Sequence, residues 1–427
     1  MDVSAKTVTV IGLAKSGRAA AELLRFKHAR VRISEQQPDS AMDPEIRKWI
    51  SANGFECEWG HREDFIRQSD LLIVSPGVRI GSRPLQWARK HHIPVWSEVE
   101  LAYRFCPCPI IAVTGSNGKT TVSTLIHQIL SRAGYSSVLC GNIGTPFSAQ
   151  VQNLEPTNWV VLEISSFQLE TVDRFKPHIA VFLNFSANHL DRHRDLEEYF
   201  SAKKRIFMNQ DAGDHGVLNA DDGRLKALAA ELRAQVHFFN AEASDEIDMD
   251  PNPNFRAAYR VARLLGISKE IIQELWDGFQ GVEHRLEKVR VLEEVVFVND
   301  SKATTAEAGR WALERIPQPV IMICGGRDKN IDFSFLRNLV AQKVRKMIVI
   351  GEASLKLKTV FEKFVDVQSA PDLASAVSQA YRSAQKGDCV LLSPMCASFD
   401  MFQNFEERGR VFKQLVKNLK MRDRSYS

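Results

Sequence analysis

The chain has 427 residues, of which 44% are hydrophobic and 25% charged, a composition that excludes long disorder, collagen-like repeats and coiled coil. Its formal charge is only +4 and the basic residues are scattered, so neither a nucleic-acid footprint nor a polybasic membrane anchor is present. At about 100 to 200 residues per domain the length predicts two to four domains, with three as the starting expectation.

Seven cysteines are thinly spread, and Cys106 and Cys108 have C-x-C spacing rather than C-x-x-C; this predicts reduced, mostly buried thiols. No apolar run approaches the roughly 18 residues of a membrane span. The N-terminus enters the strand-like TVTVIG after Asp2 rather than a charged and then apolar leader, so the expected location is the cytoplasm.

The first hundred residues alternate β-branched runs with helix-like segments: TVTVIG, RAAAELLRFKHA, VRIS, DLLIVSPG and IPVWS. That rhythm predicts βαβ units and a parallel sheet. A second rhythm starts at IIAVTG and continues through VVLEISS and IAVFLNFS, with an amphipathic helix around 197–208. The acidic, proline-bearing stretch 241–254 reads as a loop before the helical FRAAYRVARLLG. After Gly281 the alternation restarts with VVFVND, PVIMICGG, KMIVIG and DCVLLSP, a third α/β unit. There is no repeat of 20 to 50 residues.

Thr114–Thr121, TGSNGKTT, lies between an apolar strand and the helical TLIHQILSRAG. Strand, glycine loop, lysine, hydroxyl and helix arrive in the order of a phosphate cradle, with Lys119 for outer phosphates and Thr120 for magnesium. The spacing is shorter than G-x-x-x-x-G-K-[ST], since only Ser116 and Asn117 separate Gly115 from Gly118. Glu163 follows four apolar residues and is predicted at the carboxyl end of a strand, where it suits either a magnesium ligand or a salt bridge. His189, taken alone, reads as a structural histidine, and Lys203 beside Lys204 and Arg205 as a solvated helix face. In the third unit Asp300, Lys302, Lys329 and Ser398 follow strands and are expected to face a shared cleft, with helix capping by Asp300 or Ser301 as the competing reading.

Together these segments resemble the Mur ligase family of ATP-dependent amide-bond ligases over almost the whole chain. TGSNGKTT resembles its ATP loop, GNIGTP its substrate-asparagine motif, and HLDRH with SAKKRIF its histidine and lysine magnesium site. LEISSFQLE, NDSKATT and LLSPMCASFDMFQNFEERG most resemble the branch that joins D-glutamate to UDP-N-acetylmuramoyl-L-alanine. The resemblance implies a Rossmann-like UDP-sugar-nucleotide domain at 1–97, a central P-loop ATPase domain with a mostly parallel sheet at 98–283, and a Rossmann-like amino-acid-binding domain at 284–427. ATP is expected between the last two; Arg285 and Asp300 reach a nucleotide on Lys119 only if the third domain closes over it, so open and closed states are expected, and a monomer is the default.

For the site, the resemblance places ATP on Gly115, Asn117, Gly118, Lys119, Thr120, Thr121, Asn254, Arg285 and Asp300. It places two magnesium ions on Thr120, Glu163, His189 and Lys203, with Lys203 carbamylated so that an anionic oxygen replaces an ammonium. Lys119, Glu163, His189 and Lys203 are then the catalytic set. Ser16, Glu35 and Gly77 match the uridine diphosphate site, Asn142 and Ser165 the muramoyl-alanine site, and Lys302, Thr304, Lys329, Ser398 and Phe405 the D-glutamate pocket. Two departures stand out: Asp250 and Pro251 replace a His-Asn pair ahead of Asn254, and Arg327 stands where an acidic residue is expected, next to Asp328.

Gly12–Gly17, GLAKSG, is a near miss to the dinucleotide fingerprint G-x-G-x-x-G, and Glu35 follows at about the distance of a ribose-binding acid. An NAD-dependent dehydrogenase is therefore a rival from another class. Ala14 replaces the second glycine and no hydride-transfer constellation follows. A catalytically dead nucleotide-binding module would require loss of Lys119, Glu163, His189 or Lys203, and all four are present.

Overall fold

A computed structural model describes residues 3–186, 192–241, 252–279, 281–328 and 331–421. The fold is α/β throughout, built on three sheets. The first holds β1 (Thr7–Ile11), β2 (Arg30–Glu35), β3 (Glu56–Trp59), β4 (Leu71–Val74) and β5 (Val95–Ser97), in the order β3-β2-β1-β4-β5. Every pairing in it is parallel. The second holds β6 (Ile110–Thr114), β7 (Ser137–Gly141), β8 (Trp159–Glu163), β9 (Ile179–Phe182), β10 (His215–Asn219) and β11 (Gln235–Phe239), ordered β11-β10-β9-β6-β8-β7 and again all parallel.

The third sheet holds β12 (Glu287–Leu292), β13 (Val295–Asn299), β14 (Val320–Gly325), β15 (Val344–Ile350), β16 (Asp366–Ser369) and β17 (Cys389–Leu392), ordered β12-β13-β17-β14-β15-β16. It is parallel except where β12 turns back antiparallel on β13.

Chemistry explains the layering. All five residues of β6 are buried, as parallel strands covered by helices on both faces must be. Helix Lys15–Phe26 lays Ala19, Ala20, Ala21, Leu23 and Leu24 on the first sheet, its small residues allowing close approach. One core runs continuously from Val8, Ile33 and Leu71 of the first sheet to Ala112, Leu162 and Phe182 of the second. On the other face of the second sheet, helix Lys119–Arg132 packs with helix Pro253–Leu264 around Val113, Ile126, Phe255 and Tyr259. The chain divides into two compact units, Met1–Phe279 with the first two sheets and Gln280–Ser427 with the third.

Several sequence expectations change here. β3, β7, β10, β11, β12 and β16 are strands beyond those read from the sequence. The helix expected at 197–208 is an α-helix over Leu196–Lys204 followed by a 3-10 turn, Arg205–Phe207. Asn254, expected to end a loop, already lies inside helix Pro253–Leu264, capped by the Asn252 side chain; residues 242–251, with Asp250 and Pro251, lie outside the described residues. All seven cysteines are free thiols and five are buried. No described helix is long and apolar enough to cross a membrane.

Candidate active site

β6 delivers the glycine loop into helix Lys119–Arg132. Gly118 has φ +84°, and a Cβ there would stand 2.3 Å from Asn254 Oδ1; the left-handed backbone and the close approach both demand glycine. The helix N-terminus has no side-chain cap and no acidic residue in its first turn, which leaves the positive end of the helix dipole without a protein carboxylate from that turn. Lys119 Nζ folds back to donate to the carbonyls of Gly115 at 2.9 Å and Ser116 at 3.2 Å. Lys203 Nζ donates to the same Gly115 carbonyl at 2.8 Å and to Thr114 Oγ1 at 3.4 Å. Two lysines thus converge on one loop carbonyl.

Lys203 is only 1% exposed, so the solvated-face reading of SAKKR fails for it. Lys204 instead pairs with Glu231, while Arg205 donates to the carbonyls of Leu169 and Val172. Burial first, then the charge of Lys119, pushes the Lys203 amine well below the usual lysine range, against the opposing pull of Glu163. Glu163 is buried at the end of β8, in register with Val113, one residue before the loop strand ends. Its Oε1 accepts from Asn142 Nδ2 at 2.8 Å, and its backbone carbonyl accepts from Asn142 N at 2.8 Å. Buried Thr120 and Glu163 bring hard oxygen donors to this edge, a chemistry that suits a divalent cation.

Sequence reasoning missed what holds the loop. Asn184, just beyond β9, accepts from Asn117 N through Oδ1 at 2.9 Å and donates through Nδ2 to Asn117 O at 3.1 Å. Its signal was there, since it follows an apolar strand as Glu163 does. Ser116 Oγ lies 3.3 Å from the hydroxyl of buried Tyr199 and 3.0 Å from Ser186 O. His189 lies outside the described residues. The second histidine of HLDRH, His193, is buried, with Nε2 3.0 Å from Ser166 Oγ and Nδ1 3.6 Å from Glu170. Ser165 caps the short helix Ser166–Leu169 in a reciprocal capping box with Gln168.

A cleft of about 1250 Å3 opens on the first sheet, lined among others by Gly12, Glu35, Gly77, Arg79, Glu170 and Arg192. Ser16 lies in the first turn of helix Lys15–Phe26, close by in sequence to the lining residues Leu13 and Ala14. Gly17 packs so tightly that a Cβ would fall 1.9 Å from Gly12 O. Glu35 accepts from Leu13 N at 2.8 Å through one oxygen and from Gln36 N at 2.8 Å through the other. Its carboxylate therefore locks the glycine loop.

In the second unit, Asp300 is buried and does not cap a helix; Thr305 caps helix Ala306–Arg315. Ser301 is no cap either, its hydroxyl donating to Phe405 O at 2.8 Å. Burial pushes Asp300 up to about 7 even though Leu286 N and Ser393 Oγ donate to it. Arg285 lies beside Trp311, and Lys302 Nζ sits 5.5 Å from the Phe405 ring. Thr304 and Phe405 are half-buried and Ser398 is buried. Lys329 lies outside the described residues.

Another unforeseen residue is fully buried Arg408, which ties Ser301 to the Cys396 carbonyl and is lowered to about 10 by burial. Arg327 is paired with Glu352 at 3.6 Å, and Asp328 with Lys356 at 3.1 Å. Glu283, His284 and Glu287 gather within 4.8 Å, but Lys413 Nζ already binds both carboxylates, at 2.9 and 2.6 Å.

Three α/β sheets with a cation-lined glycine loop on the central one define a nucleotide-binding class of protein. The Mur ligase MurD-like N-terminal domain matches residues 6–97, the Mur ligase middle domain residues 113–270, and the Mur ligase glutamate ligase domain residues 284–396. A UDP-N-acetylmuramoylalanine--D-glutamate ligase of Acidobacterium capsulatum is 40% identical, covering 97% of this chain and 97% of the relative. One of the same name from Koribacter versatilis is 40% identical over 98% of this chain and 99% of its own. Among solved structures, the UDP-N-acetylmuramate-alanine ligase MurC of Thermotoga maritima has 18% identity and a TM-score of 0.57, covering 97% of this chain and all of its own. The MurF ligase of Thermotoga maritima in complex with ADP has 16% identity and a TM-score of 0.58, covering 98% of this chain and 97% of its own. The chain belongs to the Mur ligase family.

Proposed function

We propose that this protein is an ATP-dependent amide-bond ligase that joins D-glutamate to UDP-N-acetylmuramoyl-L-alanine in the cytoplasm, acting as a monomer in peptidoglycan precursor synthesis. Near-full-length likeness to relatives of that name supports the substrates. The observation that carries the chemistry is the convergence of Lys119 and Lys203 on the Gly115 carbonyl, at the strand edge where Glu163 holds Asn142.

The substrate carboxylate attacks the γ-phosphate of ATP, releasing ADP and giving an acyl phosphate. The amino group of D-glutamate then attacks the acyl carbon, and a tetrahedral adduct expels phosphate to leave the amide. Positioning and charge neutralisation are the protein's main contributions. Lys119, the loop N–H groups of Gly115, Asn117 and Gly118, and Thr121 hold the phosphates, with Arg285 for the γ-phosphate, Asp300 for the ribose and Asn254 for the adenine. Thr120, Glu163, His189 and Lys203 would hold two magnesium ions, which when bound neutralise phosphate charge. Burial lowers the proton affinity of the Lys203 amine, and only an unprotonated amine adds carbon dioxide, which supports carbamylation of Lys203.

Ser16, Glu35 and Gly77 serve the uridine diphosphate, and Asn142 and Ser165 the muramoyl-alanine end. Lys302 and Lys329 meet the two carboxylates of D-glutamate beside Thr304, Ser398 and Phe405. A pocket with two cations rejects neutral amino acids, whose binding would leave its charges unpaired at roughly 2 to 5 kcal/mol. The test is phosphate release with ATP, magnesium and UDP-N-acetylmuramoyl-L-alanine, with and without bicarbonate. Release is expected with D-glutamate, little with L-glutamate, lysine or D-alanine, and less without bicarbonate. Turnover of another amino acid with D-glutamate inert would move the chain to a sister ligase, and nicotinamide reduction without phosphate release would restore the dehydrogenase.

A further inference from the structure

Arg192, in HLDRH, has a side chain only 10% exposed. Its guanidinium stacks on the Phe167 ring, 4.0 Å from the centroid. Its donors serve three oxygens: the Pro76 carbonyl, the Val78 carbonyl at 2.7 Å and Glu170 Oε2 at 3.1 Å. The two carbonyls belong to the turn after β4 that carries Gly77; Glu170 ends the short helix after β8. A side chain of the central sheet's connections therefore grips a turn of the first sheet.

Within the turn Val78 N donates to Ser75 O at 3.0 Å, and Ser75 ties its start to the first sheet through N to Ile11 O at 3.1 Å and Oγ to Gly12 O at 2.8 Å. Only a planar, many-donor cation can hold carbonyls two residues apart while keeping a carboxylate. At the other end of the same connection, Glu170 Oε1 lies 3.6 Å from His193 Nδ1, the His193 ring centroid lies 5.1 Å from that of Tyr199, and the Tyr199 hydroxyl reaches Ser116 of the phosphate loop. Gly77, Glu170, Arg192 and His193 all line the 1250 Å3 cleft.

We infer that Arg192 is a positioning residue for the sugar nucleotide: it holds the Ser75–Arg79 turn in the conformation that receives the diphosphate, and sets that turn relative to the phosphate loop. The inference rests on the reading that the cleft takes a UDP-sugar. Its test is steady-state kinetics of the full-length enzyme carrying Arg192→Ala or Arg192→Lys. The KM for UDP-N-acetylmuramoyl-L-alanine is expected to rise about tenfold or more in both variants, with the KM for ATP within about twofold and kcat within about threefold. Millimolar guanidinium should bring the sugar-nucleotide KM of Arg192→Ala back toward wild type, an effect a general loss of packing would not show.

Arg192→Lys keeps charge and most of the bulk, so it carries the test if the alanine variant does not fold. An unchanged sugar-nucleotide KM, a parallel rise in both KM values, or a lysine variant equal to wild type would overturn the role of Arg192 alone. A wild-type enzyme that does not bind UDP-N-acetylmuramoyl-L-alanine would overturn the underlying reading and this inference with it.

Discussion

Two glycine loops occupy the same place in two parallel sheets, each joining a central strand to a helix: GLAKSG after β1 and TGSNGKTT after β6. Neither helix has a side-chain N-cap. They differ in where the charge comes from. In the first loop a carboxylate of the protein, Glu35, already accepts the Leu13 N–H, and Gly17 seals the helix against Gly12. In the second, Lys119 and Lys203 converge on the Gly115 carbonyl, and Glu163 acts on Lys203 from the end of β8. The same strand-to-helix geometry is therefore built once around a carboxylate of the protein and once around two lysine ammonium groups.

The largest expected effect is on chemistry. Lys119→Ala should lower phosphate release roughly 1000-fold, whereas Glu35→Gln, which keeps an acceptor, should lower it by no more than about threefold at saturating sugar nucleotide. Similar losses in a phosphate-release assay would erase the distinction between the loops. Next comes packing: Gly17→Ala drives a Cβ to 1.9 Å from Gly12 O and should cost about 2 to 3 kcal/mol in urea unfolding. Gly77→Ala, where a Cβ meets nothing within 4 Å, should be near neutral. If Gly17→Ala were equally silent, the first loop would not be sealed as described.

The smallest effect is electrostatic and belongs to the second loop alone. Because burial holds the Lys203 amine well below the ordinary lysine value of 10.5, the unfolded chain binds more protons than the folded one between the depressed value and 10.5. Stability should therefore rise with pH through that window, by at most about 1.4 kcal/mol per pH unit. In bicarbonate-free buffer, Lys203→Met should flatten that rise relative to wild type. Unfolding curves with identical slopes for both proteins would mean that Lys203 does not carry the cost.

What was legible followed burial. β1, β2, β4, β5, β6, β8, β9, β13, β14, β15 and β17 stood out as apolar or β-branched runs, most of them covered on both faces. Of the missed strands, β3, β7, β11, β12 and β16 are outer strands of their sheets, where one side has no neighbour and exposed or half-buried polar residues are tolerated; β5, outer as well, was read from IPVWS. β10 is interior, but His215 and Gly216 at its start leave it a short apolar run. Lys203 was misread by itself because its neighbours Lys204 and Arg205 are charged; nothing local tells which of three adjacent basic residues faces inward.

The sequence by itself determined the three-part α/β rhythm, the strand-to-helix loops and the family, because these depend on local order: β-branched runs, glycines at tight turns, a lysine and hydroxyl at fixed spacing. Only the tertiary structure decided that Lys203 is buried against Gly115, that Asn184 fastens Asn117, that Thr305 rather than Asp300 caps its helix, and that Arg192 reaches Pro76 and Val78. Each of those joins residues far apart in the chain, and their energetics come from desolvation and from hydrogen bonds whose partners exist only once the sheets have packed.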